Sequence, residues 1–572
     1  MTWTVDDAPW WTKAVVYQIY PRSFADSDGD GIGDLRGILG RLDHLVELGV
    51  DVVWLSPVYA SPQDDNGYDI SDYQDVDPVF GTLDDLDELI GALHAHGMRL
   101  VMDLVVNHTS DEHPWFVDSR SSKGSDRRDW YWWRPPRAGM QPGQPGAEPT
   151  NWGSFFSGSA WELDEESQEY YLHLFSRKQP DLNWENPQVR EAVYAMMRWW
   201  LDRGVDGFRM DVINLVSKEV PLRDGLVHGG LWGDGSAFYT CGPRIHEFLA
   251  EMHREVFADH PERLLAVGEM PGVTIEDARL FTDPARAEVD MVFQFEHVGL
   301  DHGPGGKFDT RPLRLTDLKT SFGRWQAGLA DAGWNSLYWD NHDQPRVVSR
   351  FGDDGRYRRE SATMLATVLH LHRGTPYVYQ GEELGMTNAH FTRFEDYQDI
   401  ESLRHISEAR ARGHSSDDEL LEGLARMSRD NARTPVQWDA SPHAGFTTGT
   451  PWLPVDANFL TVNAEAERAD PRSVFHHHRR LIALRHEDPV VALGDFTMLL
   501  PDDEHVYAFT RRLGDESLLV LGNFTGEERP FDVADAWAFD DGSALVLGNY
   551  DDAGSPSTLR PWEARVYRRP AP

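Results

Sequence analysis

Arg209 and Asp211 stand two residues apart at the end of an apolar run, Gly207-Phe208-Arg209-Met210-Asp211-Val212. Side chains along a strand alternate faces, so the two point the same way. Charges on one face of a buried strand are costly unless they pair or take part in chemistry. Alone, this is the pattern of a structural ion pair near a strand end. Three further stretches change that. Val267-Gly268-Glu269 ends a second apolar run in a carboxylate, Asn341-His342-Asp343 follows Ser336-Leu337-Tyr338-Trp339, and Asp103-Leu104-Val105-Val106-Asn107-His108 closes a fourth run on a histidine. Asp, Glu, Asp and His at four separate strand ends form a constellation of groups able to move protons or attack an electrophile.

The elements that position them follow from the pattern of apolar runs. Candidate strands lie at 15–20, 52–57, 100–106, 207–212, 264–269, 291–295, 336–339 and 376–379, separated by helical patterns such as 83–96 and 189–203. Eight strands alternating with helices predict an α/β fold, a (β/α)8 TIM barrel, with chemistry at the C-terminal strand ends. An open doubly wound sheet would carry a glycine-rich phosphate turn after an early strand, and none follows one here. Two stretches interrupt the alternation. The first, 109–177, holds Trp130-Tyr131-Trp132-Trp133, a Pro/Gly-rich loop at 136–149 and a strand-like 170–175. It is too long for a loop and predicts an inserted small domain after strand three. The second, about 385–459, follows strand eight and includes a helical 397–412. From 488 short strands recur at 506–511, 517–523, 544–547 and 564–568, the pattern of a C-terminal all-β sandwich domain. The expected division is 1–108 and 178–487 for the barrel, 109–177 for the insert and 488–572 for the β domain.

The 572 residues carry a formal net charge of −41, which argues against a nucleic-acid partner. Such acidity implies a strongly solvated surface. Lysine is scarce: Lys13, Lys123, Lys178, Lys218, Lys307 and Lys319. Cys241 is the only cysteine, which forbids an intramolecular disulfide and suits a small buried side chain. The N-terminal MTWTVDDAPWW lacks the basic and apolar segments of a signal peptide, and no apolar stretch is long enough for a membrane span, so a cytoplasmic protein is expected. His476-His477-His478 cannot share a helix face, so an exposed helix surface is expected there rather than a metal site.

The segments DGFRMDVIN, GEM, NHD and DLVVNH resemble those of the α-amylase superfamily of glycoside hydrolases. QPDLNWENP (179–187) and RDNARTPVQW (429–438) resemble its oligo-1,6-glucosidase and α-glucosidase branch, and the resemblance runs from about Trp10 to the C-terminus. It implies Asp211 as nucleophile, Glu269 as acid/base and Asp343 as the anion that stabilises the cationic transition state, in a retaining double displacement. It further implies that His108 and His342 donate hydrogen bonds to sugar hydroxyls. Tyr68 would pack under a sugar ring, and Asp65 would hold the terminal hydroxyls. Arg429 is expected to pair with Asp65 and close the pocket, with Arg433 as the alternative; Arg209 keeps Asp211 ionised.

Asp26-Ser27-Asp28-Gly29-Asp30-Gly31-Ile32-Gly33-Asp34 places oxygen ligands at alternating positions, like the first part of an EF-hand loop, but lacks its final Glu and preceding helix. It is similar instead to the calcium loop of this branch. The implied ligands of a structural calcium ion are Asp26, Asp28, Asp30, the Ile32 carbonyl and Asp34. In the family, valine at the position of Val212 accompanies preference for α-1,6 links. The expectation is therefore an exo-acting α-glucosidase that takes short α-1,6-linked oligosaccharides or disaccharides. The rivals are an α-1,4-glucosidase, a sucrose-active or glucosyl-transferring relative, and a non-catalytic transporter-associated barrel. Isomerase relatives carry an arginine-rich segment where this chain has Leu313-Arg314-Leu315-Thr316-Asp317-Leu318, and the non-catalytic relatives lack carboxylates that are present here.

Overall fold

A computed structural model describes residues 3–570 apart from 229, 261–262, 414–415, 541 and 553. Eight strands form one parallel sheet: β1 Val16–Ile19, β2 Val52–Leu55, β3 Arg99–Leu104, β4 Gly207–Met210, β5 Leu265–Glu269, β6 Met291–Phe293, β7 Ser336–Leu337 and β8 Thr375–Tyr379. Their order is β6-β5-β4-β3-β2-β1-β8-β7, and a parallel bridge from Val292 to Asn335 brings the two ends together. All eight expected strands are present, in the order a closed barrel requires.

Alternation sorts the side chains. Val16, Val52, Trp54, Val101, Leu265, Val267, Met291, Phe293 and Tyr377 share one buried cluster, while Tyr17, Val53, Leu55, Met102, Phe208, Met210, Ala266 and Val292 belong to another. Asp103, Arg209 and Glu269 have the parity of the first set, which fills the barrel interior. Register then sets neighbours: Asp103 is the partner of Arg209, and Arg209 of Val267. Burial on both faces is why these strands read as apolar runs.

The outer helices include α1 Leu83–Ala95, started by a Thr82–Asp85 capping box, and α2 Pro187–Asp202, capped by Asn186 with proline at its first turn. The insert after β3 holds a three-stranded antiparallel sheet of Trp133–Arg134, Glu169–Leu172 and Trp161–Asp164 around Trp132, Trp152, Trp161 and Tyr170. Helix α3, Arg358–His370, precedes β8. After β8 come α4 Ile400–Arg412, α5 Asp417–Met427 and the short α6 Asp430–Arg433, then α7 Val474–Glu487.

The C-terminal sheet has five antiparallel strands: β9 Asp495–Leu499, β10 Val506–Leu513, β11 Glu516–Asn523, β12 Ala544–Gly548 and β13 Ala564–Pro570. Tyr507, Phe509, Leu518 and Val520 cluster with Met364 and Val368 of α3, while Val506, Leu519 and Leu521 cluster with Phe531, Trp537 and Leu559. The second layer of the sandwich is therefore a short segment carrying the two-stranded ribbon 529–530 with 558–559.

The triple histidine departs from expectation. His477 and His478 are fully buried, because α7 is covered on two sides. Phe475 and Ile482 belong to the cluster around the barrel, Val474 and Leu481 to the cluster shared with α3. His477 Nε2 meets Thr367 Oγ1 at 2.7 Å, and the His478 ring meets His370 edge-on at 5.5 Å.

Candidate active site

Arg209 is the hub. Its Nη1 donates to Asp103 Oδ1 and to Asp211 Oδ1, both at 2.7 Å, and its Nη2 pairs with Glu269 Oε1. The guanidinium also lies over the Trp54 ring, 4.9 Å from its centroid. Asp103 Oδ2 accepts from Trp54 Nε1 and from Tyr68 Oη, each at 3.0 Å. One buried cation thus fixes three carboxyls, and Asp103 orients the cation from behind. Burial lifts the Asp103 carboxyl to about 6 against the pull of Arg209. Asp103 lies inside the DLVVNH segment, but nothing local marked it as a partner of Arg209; that follows from strand register.

Burial also drives the Glu269 carboxyl well above the ordinary range; Arg209 opposes the shift, and the Asp211 and Asp343 anions reinforce it. Glu269 Oε2 accepts the Val212 N–H at 3.0 Å. Strand β4 ends at Met210, so Val212 does not continue its alternation. It sits in the left-handed region at φ 36°, ψ 37°, which is strained for a β-branched residue. Its side chain belongs to the insert's apolar cluster with Leu215, Trp132 and Tyr239.

Asp343 lies in the loop after β7. Burial alone would raise its carboxyl, yet its surroundings hold it well below the usual carboxylate range. The adjacent His342 is itself pushed down to about 3 by burial and is neutral at physiological pH. The charge therefore comes from Arg429 Nη1 at 3.1 Å, Arg433 Nη2 at 2.8 Å and Lys307. The Gln18 amide donates to His342 Nδ1 at 2.8 Å, which leaves the ring proton on Nε2, 3.5 Å from Asp343 Oδ2. Tyr68 stacks on His342 with centroids 5.2 Å apart and planes 3° from parallel.

An ion cluster ties the loop after β2 to the stretch after β8. Arg429 Nη2 lies 3.2 Å from Asp65 Oδ1 and 2.9 Å from Asp399 Oδ2, while Arg433 Nη1 lies 2.8 Å from the same Asp399 oxygen. Arg429 is the arginine that reaches Asp65; Arg433 instead binds Asp343, Asp399 and the His342 carbonyl. Gln179 Nε2 also donates to Asp65 Oδ2 at 3.1 Å. Burial pushes the Asp65 carboxyl up to about 7 despite both arginines. Asp399 and Gln179 are not legible as site residues: Asp399 meets its arginines only through the folding of the long stretch after β8, and the Gln179 contact joins the end of the insert to the loop after β2.

His108, expected as a sugar donor, lies deep beside Tyr68. It is 1% exposed; its Nε2 donates to the Tyr68 carbonyl at 3.1 Å, and its Nδ1 faces the Asn107 amide at 3.3 Å. Both ring nitrogens already have protein partners.

In the 26–34 loop, Asp26, Asp28 and Asp34 come together, with ligand-capable oxygens all within 4.8 Å of one another. Asp30 stands outside that group, its Oδ1 accepting the Ile32 N–H at 2.7 Å. Gly31 is required: at φ +96° a Cβ would fall 1.9 Å from the Thr450 carbonyl oxygen. Thr447 donates to Asp26 Oδ2, so the loop after β8 braces this turn. A set of carboxylate oxygens suits a hard divalent cation.

Residues 18–494 match the catalytic domain of the α-amylase family. The chain is 56% identical to the oligo-1,6-glucosidase of Parageobacillus thermoglucosidasius over 564 residues, covering 98% of this chain and 99% of that one. It is 49% identical to the trehalose-6-phosphate hydrolase of Bacillus subtilis (strain 168) over 571 residues, covering 99% of each. A crystal structure of Bacillus licheniformis trehalose-6-phosphate hydrolase in complex with PNG superposes with TM-score 0.93 at 47% identity, covering 99% of this chain and 100% of that one. The barrel, the carboxyls gathered on Arg209 and full-length likeness to these enzymes lead to one conclusion: the chain belongs to the α-amylase family of glycoside hydrolases.

Proposed function

We propose that the protein is a retaining, exo-acting α-glucosidase that releases glucose from the non-reducing end of short α-glucosides and prefers α-1,6 links. The observation that carries this reading is the ion cluster of Asp65, Arg429 and Asp399 against Asp343, which would close one end of the site. A terminal glucose fits a closed end; an internal unit of a longer chain does not. Asp211 attacks the anomeric carbon, Glu269 protonates the departing oxygen and then activates water, and Asp343 faces the cationic ring. Asp211 and Glu269 share one guanidinium, in keeping with the short spacing of about 5–5.5 Å used for retention. Likeness to oligo-1,6-glucosidases supports the link preference.

A second reading, hydrolysis of a phosphorylated disaccharide, is favoured by likeness to the trehalose-6-phosphate hydrolases. The charge balance counts against it. Arg429, Arg433 and Lys307 are met by Asp65, Asp343, Asp399 and Glu401, so none of these three cations is spare for a phosphate. Specificity constants measured side by side on isomaltose, maltose, sucrose and trehalose 6-phosphate decide the matter. Isomaltose should lead; a lead for the phosphorylated sugar overturns the assignment.

The proposal includes a structural calcium ion held by Asp26, Asp28 and Asp34, which would pin β1's exit loop to the loop after β8. It also includes a cytoplasmic setting, in keeping with a single cysteine. No helix among the described residues is long and apolar enough to cross a membrane.

A further inference from the structure

Gln18 is a polar residue on the interior face of β1, with the parity of Val16 and level with Trp54 on β2. It is fully buried, and a buried amide is costly unless its hydrogen bonds are made. Both N–H groups are spent: Nε2 lies 3.1 Å from Ser56 Oγ, just past β2, and 2.8 Å from His342 Nδ1. Among the described residues no protein donor meets its Oε1. An amide kept in the barrel core with one end unmet by protein calls for a reason beyond packing.

The plane of the His342 ring is set by aromatic neighbours. Tyr68 and Tyr20 both lie nearly parallel to it, 3° and 11° off, and the Trp54 ring stands at 83° to it with centroids 6.0 Å apart. A fixed plane still admits a half-turn of the ring and two neutral tautomers. Only a hydrogen bond at a ring nitrogen tells these apart. An amide N–H on Nδ1 makes that nitrogen the acceptor, so the proton sits on Nε2, which faces Asp343 Oδ2 at 3.5 Å. Turning the amide over would put the proton on Nδ1 and aim the Nε2 lone pair at a carboxylate. Charge does not make the choice: burial holds His342 neutral, and the pull of Asp343 is opposed by Arg433, Arg209 and Arg429.

We propose that Gln18 is a positioning residue for the reaction: by donating to Nδ1 it holds His342 as a neutral Nε2–H donor, aimed at Asp343 and the sugar beside it. This deepens the proposed function and rests on the place given there to Asp343. A neutral donor orients the Asp343 carboxylate without cancelling the charge that faces the cationic ring, as an imidazolium would. The bland alternative is an amide that only ties β1 to Ser56. Removing such an amide would cost stability and leave the pH dependence of turnover alone.

The test reads kcat/KM on a chromogenic α-glucoside whose leaving group needs no proton, as the ratio of each variant to the native enzyme from about pH 5 to about pH 8. In Gln18→Glu the new carboxyl gives a proton to Nδ1 or takes one from it. At low pH the pair holds the extra proton and Nε2–H is kept. As pH rises that proton leaves, the carboxylate accepts Nδ1–H, and Nε2 turns its lone pair to Asp343. The ratio should therefore fall by about 10-fold or more as pH rises. In Gln18→Met, which has no proton to lose, the ratio should be lower by about 2- to 12-fold, the worth of one hydrogen bond, and flat with pH. Ser56→Ala frees the amide to turn and should lower kcat/KM in the same pH-independent way, with no further loss when joined to Gln18→Met. Thermal melts confirm folding, and the Ser56 and Gln18→Met pair decides the matter if the glutamate variant does not fold. A Gln18→Glu ratio that is flat or rises with pH, a Ser56→Ala enzyme as active as the native one, or losses that simply add overturn the proposal. Each ratio compares variant with native enzyme on one substrate, so β-glucose formed first, or another best disaccharide, counts against the proposed function and not against Gln18.

Discussion

The N–H of Val212 lies 3.0 Å from Oε2 of Glu269, aimed there by a left-handed backbone. The residue that follows Asp211, the proposed nucleophile, thus holds Glu269, the proposed acid/base. Glu269 takes this bond on one oxygen and Arg209 on the other. Each oxygen keeps a lone pair, and one of these can carry the proton that the proposed mechanism transfers. Val212 is a strained β-branched residue whose backbone bonds Glu269 and whose side chain shares the insert's apolar cluster.

Val212→Ala should shift preference toward α-1,4 links. An α-1,6 link has an extra rotatable bond, so its leaving sugar departs along a different path, and a stiff β-branched side chain occupies space an α-1,4 sugar needs. Removing two methyl groups should move the isomaltose-to-maltose ratio of specificity constants by about 10- to 200-fold in favour of maltose. The same ratio in variant and native enzyme would remove Val212 as selector.

Glu269→Gln should hit natural substrates far harder than substrates with activated leaving groups, which need no proton. With isomaltose, native activity should fall as pH rises through the elevated pKa of Glu269, and the variant should lose that alkaline limb. Stability should move the other way. Between the ordinary value of 4.5 and the raised folded value, the native state keeps a proton that the unfolded chain releases, so stability falls as pH rises across that window. Glu269→Gln should therefore melt higher than the native protein at pH 7 to 8, with the gap closing below pH 4.5. A gap of the same size at pH 4 and pH 8 would refute the titration account.

Chelation should lower the melting temperature and leave turnover at moderate temperature nearly unchanged. A metal bound only by the native state stabilises it by mass action, by about 2.7 kcal/mol at a free concentration one hundred times Kd. Asp28→Asn should reduce the shift on chelation, and Asp30→Asn should leave it intact, since Asp30 stands outside the carboxylate group. A melting curve indifferent to chelator would dismiss the ion.

Asp65→Ala should cost specificity constant on every substrate alike, because the lost bonds hold the terminal glucose common to all. Hydrogen bonds from a charged group are worth about 1.5–3 kcal/mol each, roughly 10- to 150-fold. Arg429→Met should in addition destabilise the fold, because it leaves Asp65 and Asp399 buried with one cation fewer; breaking such a pair costs about 3–5 kcal/mol. An Asp65→Ala variant that lost activity on one disaccharide only would place Asp65 on the leaving-group side instead.

The barrel was legible because parallel strands buried on both faces leave apolar runs, and because Asp211, Glu269 and Asp343 sit where those runs end. What escaped was set by tertiary placement. Asp399 carries no local pattern, and its partners Arg429 and Arg433 come from another helix. Asp103 was in view, but only register beside Arg209 gives it a task. His477 and His478 follow helix geometry as expected, yet α7 is covered on two sides, so helical spacing alone could not show them buried. Val212 was placed on a strand that in fact ends two residues earlier.

The most direct test of the account is the anomer released first. Isomaltose hydrolysis followed by proton NMR during the first turnovers, before mutarotation, should show α-glucose appearing ahead of β-glucose, with activity lost in a folded Asp211→Asn variant. β-Glucose formed first would contradict the double displacement on Asp211, and with it the roles given to Glu269 and Arg209.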